Sequence, residues 1–260
     1  MADIVRLAKS GSNWTSNELV SYNIIIQEHD EAQFFHGPLP EYVGPLGFIE
    51  HEDRIQGLDA ASLSLIKRLD LAMNILEGEE SAVVDFAVEL LRVMGYERHD
   101  TVVRTRKTIR LLMCGQLVLT KTDVCLMDSS SQILLILQED KSQINPSDPE
   151  AQLIAEAIAA FQENNAKRVN DLFLELLETQ VIPGITMLGT FPTFYKVKVT
   201  ADLDHSVRFG QYPETQTVVY RHTPRVPERS DGMRPLDNRK LVLRCYEAFK
   251  KFVYPATMNH

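Results

Sequence analysis

The stretch ILLILQEDK, residues 133–141, sets an unbroken apolar run against three charges, with Gln138 between them. A run of Ile and Leu bounded by the turn-forming SSSQ of residues 129–132 reads as a buried strand. Side chains alternate between the faces of a strand, so Ile133, Leu135, Leu137, Glu139 and Lys141 share one face. Glu139 and Lys141 then project together beyond the apolar part. Asp140 points to the other face, where exposure to solvent or a turn is the ordinary role.

Reading outward from this strand, LVLTKTDVCLMD (residues 117–128) is a second strand and TVVRTRKTIRLLMCGQ (residues 101–116) supplies one or two more. Short connections predict an antiparallel meander, with the turn of residues 129–132 pairing its flanking strands directly. Asp123, on the strand before that turn, is thereby brought close to Glu139. After the run, SDPEAQLIAEAIAAFQENN opens a helix: Asp148 caps it, Pro149 fits its first turn and Glu150 complements its dipole. Leu153, Ala157, Ile158 and Phe161 form its packing face, and helix is expected to continue to residue 178. Pro183-Gly184 is expected to break the chain before a β-rich segment, residues 185–199. Upstream, residues 82–94 form an amphipathic helix with Val84, Ala87, Val88, Leu91 and Met94 on one face, Ser81 as cap and Gly95 as stop. EGEE, residues 77–80, separates it from a helical spacing of Leu63, Ile66, Leu69, Met73 and Leu76. Residues 18–29 read as a strand, 34–48 and 221–239 as loops, and 241–253 as a closing helix packed through Leu241, Cys245, Ala248, Phe249 and Phe252.

The chain of 260 residues, 44% hydrophobic and 24% charged, has the composition of an ordinary globular protein with a substantial core. No apolar run reaches membrane-spanning length, and MADIVRLAKSGSNW has no signal-peptide core, so the expected location is intracellular, cytoplasmic or nuclear, away from membranes. The three cysteines have neither disulfide nor zinc spacing and are expected to be reduced. The net charge of −9 is unevenly placed: residues 1–96 carry 6 basic and 16 acidic side chains, the remainder 21 and 20. Between Arg98 and Lys121 lies a basic stretch that includes Arg104, Arg106 and Lys107. Such a patch suits phosphate contacts, although a solvated strand surface has the same composition.

Asp123, Glu139 and Lys141 have a joint chemical use. Two carboxylates hold Mg²⁺ or Mn²⁺ through hard oxygen ligands, the ion activates a bound water for attack on a phosphodiester, and a lysine orients that water or stabilises the developing charge. A surface ion pair between Glu139 and Lys141 is the plain alternative.

In these residues the chain resembles the PD-(D/E)XK nuclease superfamily, whose motif is an Asp on one strand and Asp/Glu-x-Lys on the next. Here those are Thr122-Asp123 and Glu139-Asp140-Lys141, with Thr122 in place of the proline. The order helix, three-stranded meander, helix, strand is similar to the restriction-endonuclease-like α/β core. The resemblance implies a core over residues 81–200 with an N-terminal α/β extension (residues 1–80) and a C-terminal loop and helix extension (residues 201–260). It also implies a Glu in the first core helix, matched by Glu89, and a Gln in the second, matched by Gln152 with Glu156 one turn later. The stretch from residue 151 to 200 is also similar to a group of uncharacterised fungal proteins with this core. The expected activity is metal-dependent cleavage of nucleic acid, DNA before RNA, with Asp123 and Glu139 as ligands and Arg104, Arg106, Lys107 and Lys121 on phosphates. Many members of the superfamily dimerise to cut both strands, which brings in a homodimer. The alternative is a catalytically silent module of the same fold that binds protein or nucleic acid.

Overall fold

The computed structural model describes residues 6–41, 44–52, 56–74, 81–140 and 148–254. The apolar run is the strand β6 (Ile133–Glu139), buried along its whole length. It belongs to a seven-stranded mixed sheet. Its antiparallel partner is β5 (Val124–Asp128), which pairs on its other side with β2 (Thr101–Thr105). Its parallel partner is β7 (Thr179–Leu188). The antiparallel β8 (Phe191–Thr200) follows, then β9 (Thr217–His222) antiparallel to it, and β1 (Ile24–Glu28) parallel to β9 at the edge. The N- and C-terminal parts of the chain thus extend the same sheet, each with one strand.

The parallel step from β6 to β7 needs a crossover, which is the helix α6 (Pro149–Asn170). Asp148 caps it as the sequence predicts, accepting from the Ala151 N–H at 3.0 Å, and Pro149 occupies its first turn. It packs on one sheet face through Leu153, Ile154, Ala157, Ile158 and Phe161 against Cys125, Ile133 and Ile136. The opposite face is covered by α2 (Glu31–Phe35), α4 (Ala60–Met73), α5 (Ala82–Val93) and α8 (Leu236–Val253), over Leu126, Leu135, Leu137, Ile185 and Phe194. Truncating one of these fully buried leucines would cost about 2–5 kcal/mol.

Several elements differ from the sequence reading. Residues 18–29 divide: α1 (Ser16–Ser21) precedes β1, because Glu18 accepts from the Thr15 N–H at 2.8 Å and completes a capping box. Residues 34–48 are not all loop, since Phe34 and Phe35 close α2 and α3 (Leu46–Glu50) begins inside the segment. On α5 the buried stripe runs through Val83, Phe86, Ala87, Leu90 and Leu91, with Val84 and Val88 only partly buried. The stripe with Phe86 and Leu90 removes more apolar area from water.

Residues 117–128 also divide, at Thr122-Asp123. The first half is β4, which forms a separate two-stranded hairpin with β3 (Thr108–Met113; β4 is Gln116–Lys121). The meander is therefore β2, β5, β6 with this hairpin inserted after β2. The hairpin lies over α6, which explains why that helix is buried on both sides. A register shift at Leu126/Met127 breaks the alternation of β6, so Ile133 packs on the α6 face while Leu135 and Leu137 face α5. Helix α6 ends at Asn170 rather than near residue 178, and Phe173 after it has φ 55°. Pro183 and Gly184 lie within β7: pairing with β6 begins only at Gly184, so Pro183 owes that ladder no N–H. At Gly184 a Cβ would sit 2.8 Å from the Leu153 side chain, so glycine is what admits α6 this close to the sheet. Helix α7 (Ala201–Phe209), absent from the sequence reading, is capped by Thr200, and α8 starts earlier than residue 241. Leu76 and residues 77–80 lie outside the described residues.

Candidate functional site

Strand β6 is held at both ends by side chains from other elements. At its start, Asn164 of α6 accepts from the Ile133 N–H at 2.7 Å and donates to the Ile133 carbonyl at 2.9 Å. At its other end stands Asp123, in the two-residue link between β4 and β5. Val124 pairs with Leu137, so Asp123 falls opposite Gln138. Its Oδ2 accepts from Gln138 Nε2 at 2.7 Å and from the Glu139 backbone N–H at 2.9 Å. Asp123 is thus tied to the Glu139 backbone at the strand end. Glu139 is buried at the end of the face that carries Leu135 and Leu137.

Helix α6 adds two further polar groups. Gln152 Nε2 donates to Glu156 Oε1 at 3.1 Å. Glu156 is fully buried, and its Oε2 makes no hydrogen bond among the described residues. Burial pushes this carboxyl well above the usual carboxylate range, the Gln152 hydrogen bond pulls the other way, and the Asp123 charge nearby adds to the rise. Asp123 and Gln138 at the strand ends lie near Gln152 and Glu156 of α6, while Glu139 follows on the opposite face, with Leu135 and Leu137. Glu89 is engaged elsewhere, its Oε2 lying 3.8 Å from Arg68 Nε of α4. Lys141 lies outside the described residues.

Beside this cluster is a polar cavity of about 440 Å³, lined by Glu28, Asp140, Glu150, Thr186, Tyr195 and Arg221 among others. Asp140 donates its N–H to the Met187 carbonyl at 2.8 Å, fixing the chain just after Glu139. Arg221 bridges Glu28 and Glu150 at 2.6 Å each, and the Tyr195 hydroxyl donates to Glu150 at 2.7 Å. Burial, reinforced by the Glu150 charge, holds the Tyr195 phenol well above its ordinary value. The sequence reading had Glu150 as a dipole complement, Tyr195 within a β-rich segment and Arg221 in a loop. Four separate elements supply these residues, and no local spacing signals their meeting. Gln138 did carry a signal: a polar residue closing a buried strand next to the motif.

The basic stretch lies close by. The Arg106 backbone N–H donates to the Asp123 carbonyl at 2.9 Å, with Arg106 in a left-handed conformation (φ 53°) that turns the chain from β2 into β3. Arg104, Arg106 and Lys121 are exposed and form no ion pair among the described residues. Lys107 is half-buried and paired with Glu163 at 2.7 Å. It lines a second cavity, of about 560 Å³, with Arg110, Lys167 and Arg208.

Among the described residues, no three His, Cys, Asp or Glu side chains form a group that could hold a metal ion, so any cation here rests on two carboxylates or on residues beyond those described. The donor chemistry suits a hard cation. Carboxylate oxygens of the kind that Asp123 and Glu139 carry are the ligands such ions take. No described helix is long and apolar enough to cross a membrane. No protein-family model matches the chain, and no curated protein matches it.

Proposed function

We propose that this protein is a divalent-metal-dependent phosphodiesterase of nucleic acid, DNA before RNA, built on a restriction-endonuclease-like core of α5, β2, β5, β6, α6 and β7. The observation that carries the reading is the 2.9 Å hydrogen bond from the Glu139 backbone N–H to the Asp123 carboxylate, which supports a site with the two motif residues adjacent at one strand end. Asp123 and Glu139 would hold Mg²⁺ or Mn²⁺. A bound cation supplies an activated water and screens charge on the phosphate. Gln138 keeps the Asp123 carboxylate turned to the strand end. Lys141, two residues beyond Glu139, would orient the attacking water, and Glu156, whose burial opposes its ionisation, lies near Asp123. Arg104, Arg106 and Lys121 would grip phosphates flanking the scissile one.

A second reading, a binding module of the same fold that does not cut, is favoured by one specific observation. Asp123 Oδ2 already accepts two hydrogen bonds from β6, an arrangement that also serves a purely structural carboxylate. The test is cleavage of labelled single- and double-stranded DNA and RNA with Mg²⁺ or Mn²⁺, against chelator, for the wild type, Asp123→Asn and Glu139→Gln. Metal-dependent cleavage lost in both variants supports the enzyme. Binding that survives chelation, with no cleavage, supports the module.

A further inference from the structure

A third cavity, of about 470 Å³, lies at the other end of the sheet. Lys196 and Lys198 of β8 are two residues apart and so share a face; Lys198 pairs with Val181 near the start of β7, whereas Glu139 pairs with Met187 near its end. At strand rise the two sites are on the order of 20 Å apart. The last turn of α8 closes the cavity with Lys251 and Phe252, and His36 flanks it from the end of α2.

The charge in this cavity is one-sided. Among the described residues its lining contains three lysines and no carboxylate, in a chain with 36 acidic and 27 basic residues. Lys196 is buried; its Nζ donates to the Phe34 carbonyl at 2.8 Å, and Lys251 Nζ donates to the Phe35 carbonyl. An ammonium has three donors, so each lysine keeps more than a helix-end carbonyl uses. Burial and the Lys251 charge push Lys196 down to about 8. The Lys196 charge in turn holds His36 below the ordinary histidine range, with His36 Nε2 at 3.3 Å. Apart from Gln180, the rest of the wall is apolar or aromatic: Leu134, Val181, Tyr220, Phe252 and Val253. The volume falls within the range of small-molecule sites.

We infer that this cavity binds a small organic anion: a carboxylate or phosphate head set among Lys196, Lys198 and Lys251, with an apolar body against Phe252, Tyr220 and Val181. A full negative charge would offset more of the ammonium charge than the carbonyl dipoles do. The site stands apart from the proposed nuclease centre, so failure of either leaves the other standing.

The test is calorimetric titration of the full chain with decanoate, decyl phosphate, decanol and inorganic phosphate. The expected result is saturable one-site binding of decanoate or decyl phosphate, about tenfold or more tighter than decanol or inorganic phosphate. The tighter of the two amphiphiles identifies the head. Lys196→Met should weaken that binding by about tenfold or more, and so should the exposed and structurally mild Lys198→Glu, while Asp123→Asn leaves it unchanged. Decanol binding as tightly as decanoate, inorganic phosphate binding as tightly as decyl phosphate, or no saturable binding to folded protein would overturn the inference.

Discussion

The Asp123 carboxylate accepts the backbone N–H of Glu139 at 2.9 Å, and through the same oxygen the side chain of Gln138 at 2.7 Å. This joins the β4–β5 link to the end of β6, so Asp123 has a structural role whatever its chemistry. Asp123→Ala leaves two donors without their acceptor and should cost ~1–3 kcal/mol in urea unfolding. Asp123→Asn keeps a carbonyl oxygen and should cost less, while reducing any metal-dependent cleavage about as severely as the alanine variant. Equal stability of Asp123→Ala and the wild type would remove the structural half of this account.

Glu156 makes stability depend on pH in a defined direction. Its folded-state titration lies above its unfolded one, because burial opposes its charge. Between the two, the folded state holds the proton and the unfolded state does not, so stability falls as pH rises above the unfolded value of about 4.3. Glu156→Gln keeps the shape and the Gln152 contact and removes the titration. The variant should be more stable than the wild type at pH 8, by ~1–3 kcal/mol, and close to it at pH 4. Unfolding curves of both proteins at the two pH values check this.

How much of this was legible in the sequence can be judged at particular residues. The ILLIL run, the Asp148-Pro149 cap and the Gly95 stop are local signals, and each marks a real strand or helix end. The pairing of Asp123 with the end of β6 was legible too, because a short turn leaves little choice of register. The hairpin of β3 and β4 was not, since LVLTKTDVCLMD reads as continuous until α6 is available as a second surface for its first half. Pro183 and Gly184 are turn residues by habit, and only the neighbours of β7 make them tolerable in a strand. The Glu150, Tyr195 and Arg221 cluster depends on three long-range approaches that no window of sequence contains.

The basic residues divide by their partners. Arg104, Arg106 and Lys121 are exposed and form no ion pair among the described residues, whereas Lys107 is held by Glu163 at 2.7 Å. If nucleic acid binds here, Arg106→Ala should weaken it in fluorescence anisotropy and lower the salt slope by about 1, while Lys107→Ala changes the slope little. Equal effects from both variants would place the phosphates elsewhere.

Lys196 gives the opposite pH signature to Glu156. Its folded-state value is lowered to about 8, from burial and the Lys251 charge. Between there and the unfolded value of about 10.4 the unfolded state binds the extra proton, so stability rises with pH through that window. Lys196→Met should abolish the rise, which is expected to be ~1–2 kcal/mol because the bond to the Phe34 carbonyl and the open side of the cavity offset part of the penalty. Thermal or urea unfolding at pH 7 and pH 10 measures it.

The central claim is that Asp123 and Glu139 hold a divalent cation together. Calorimetric titration with Mn²⁺, with and without a DNA oligonucleotide, tests it on the wild type, Asp123→Ala, Glu139→Ala and Glu89→Ala. The account predicts one saturable site in the wild type and in Glu89→Ala, whose carboxylate lies toward Arg68, and its loss in both of the others. No saturable binding by the folded wild type under either condition, or binding undiminished in Asp123→Ala and Glu139→Ala, would contradict it.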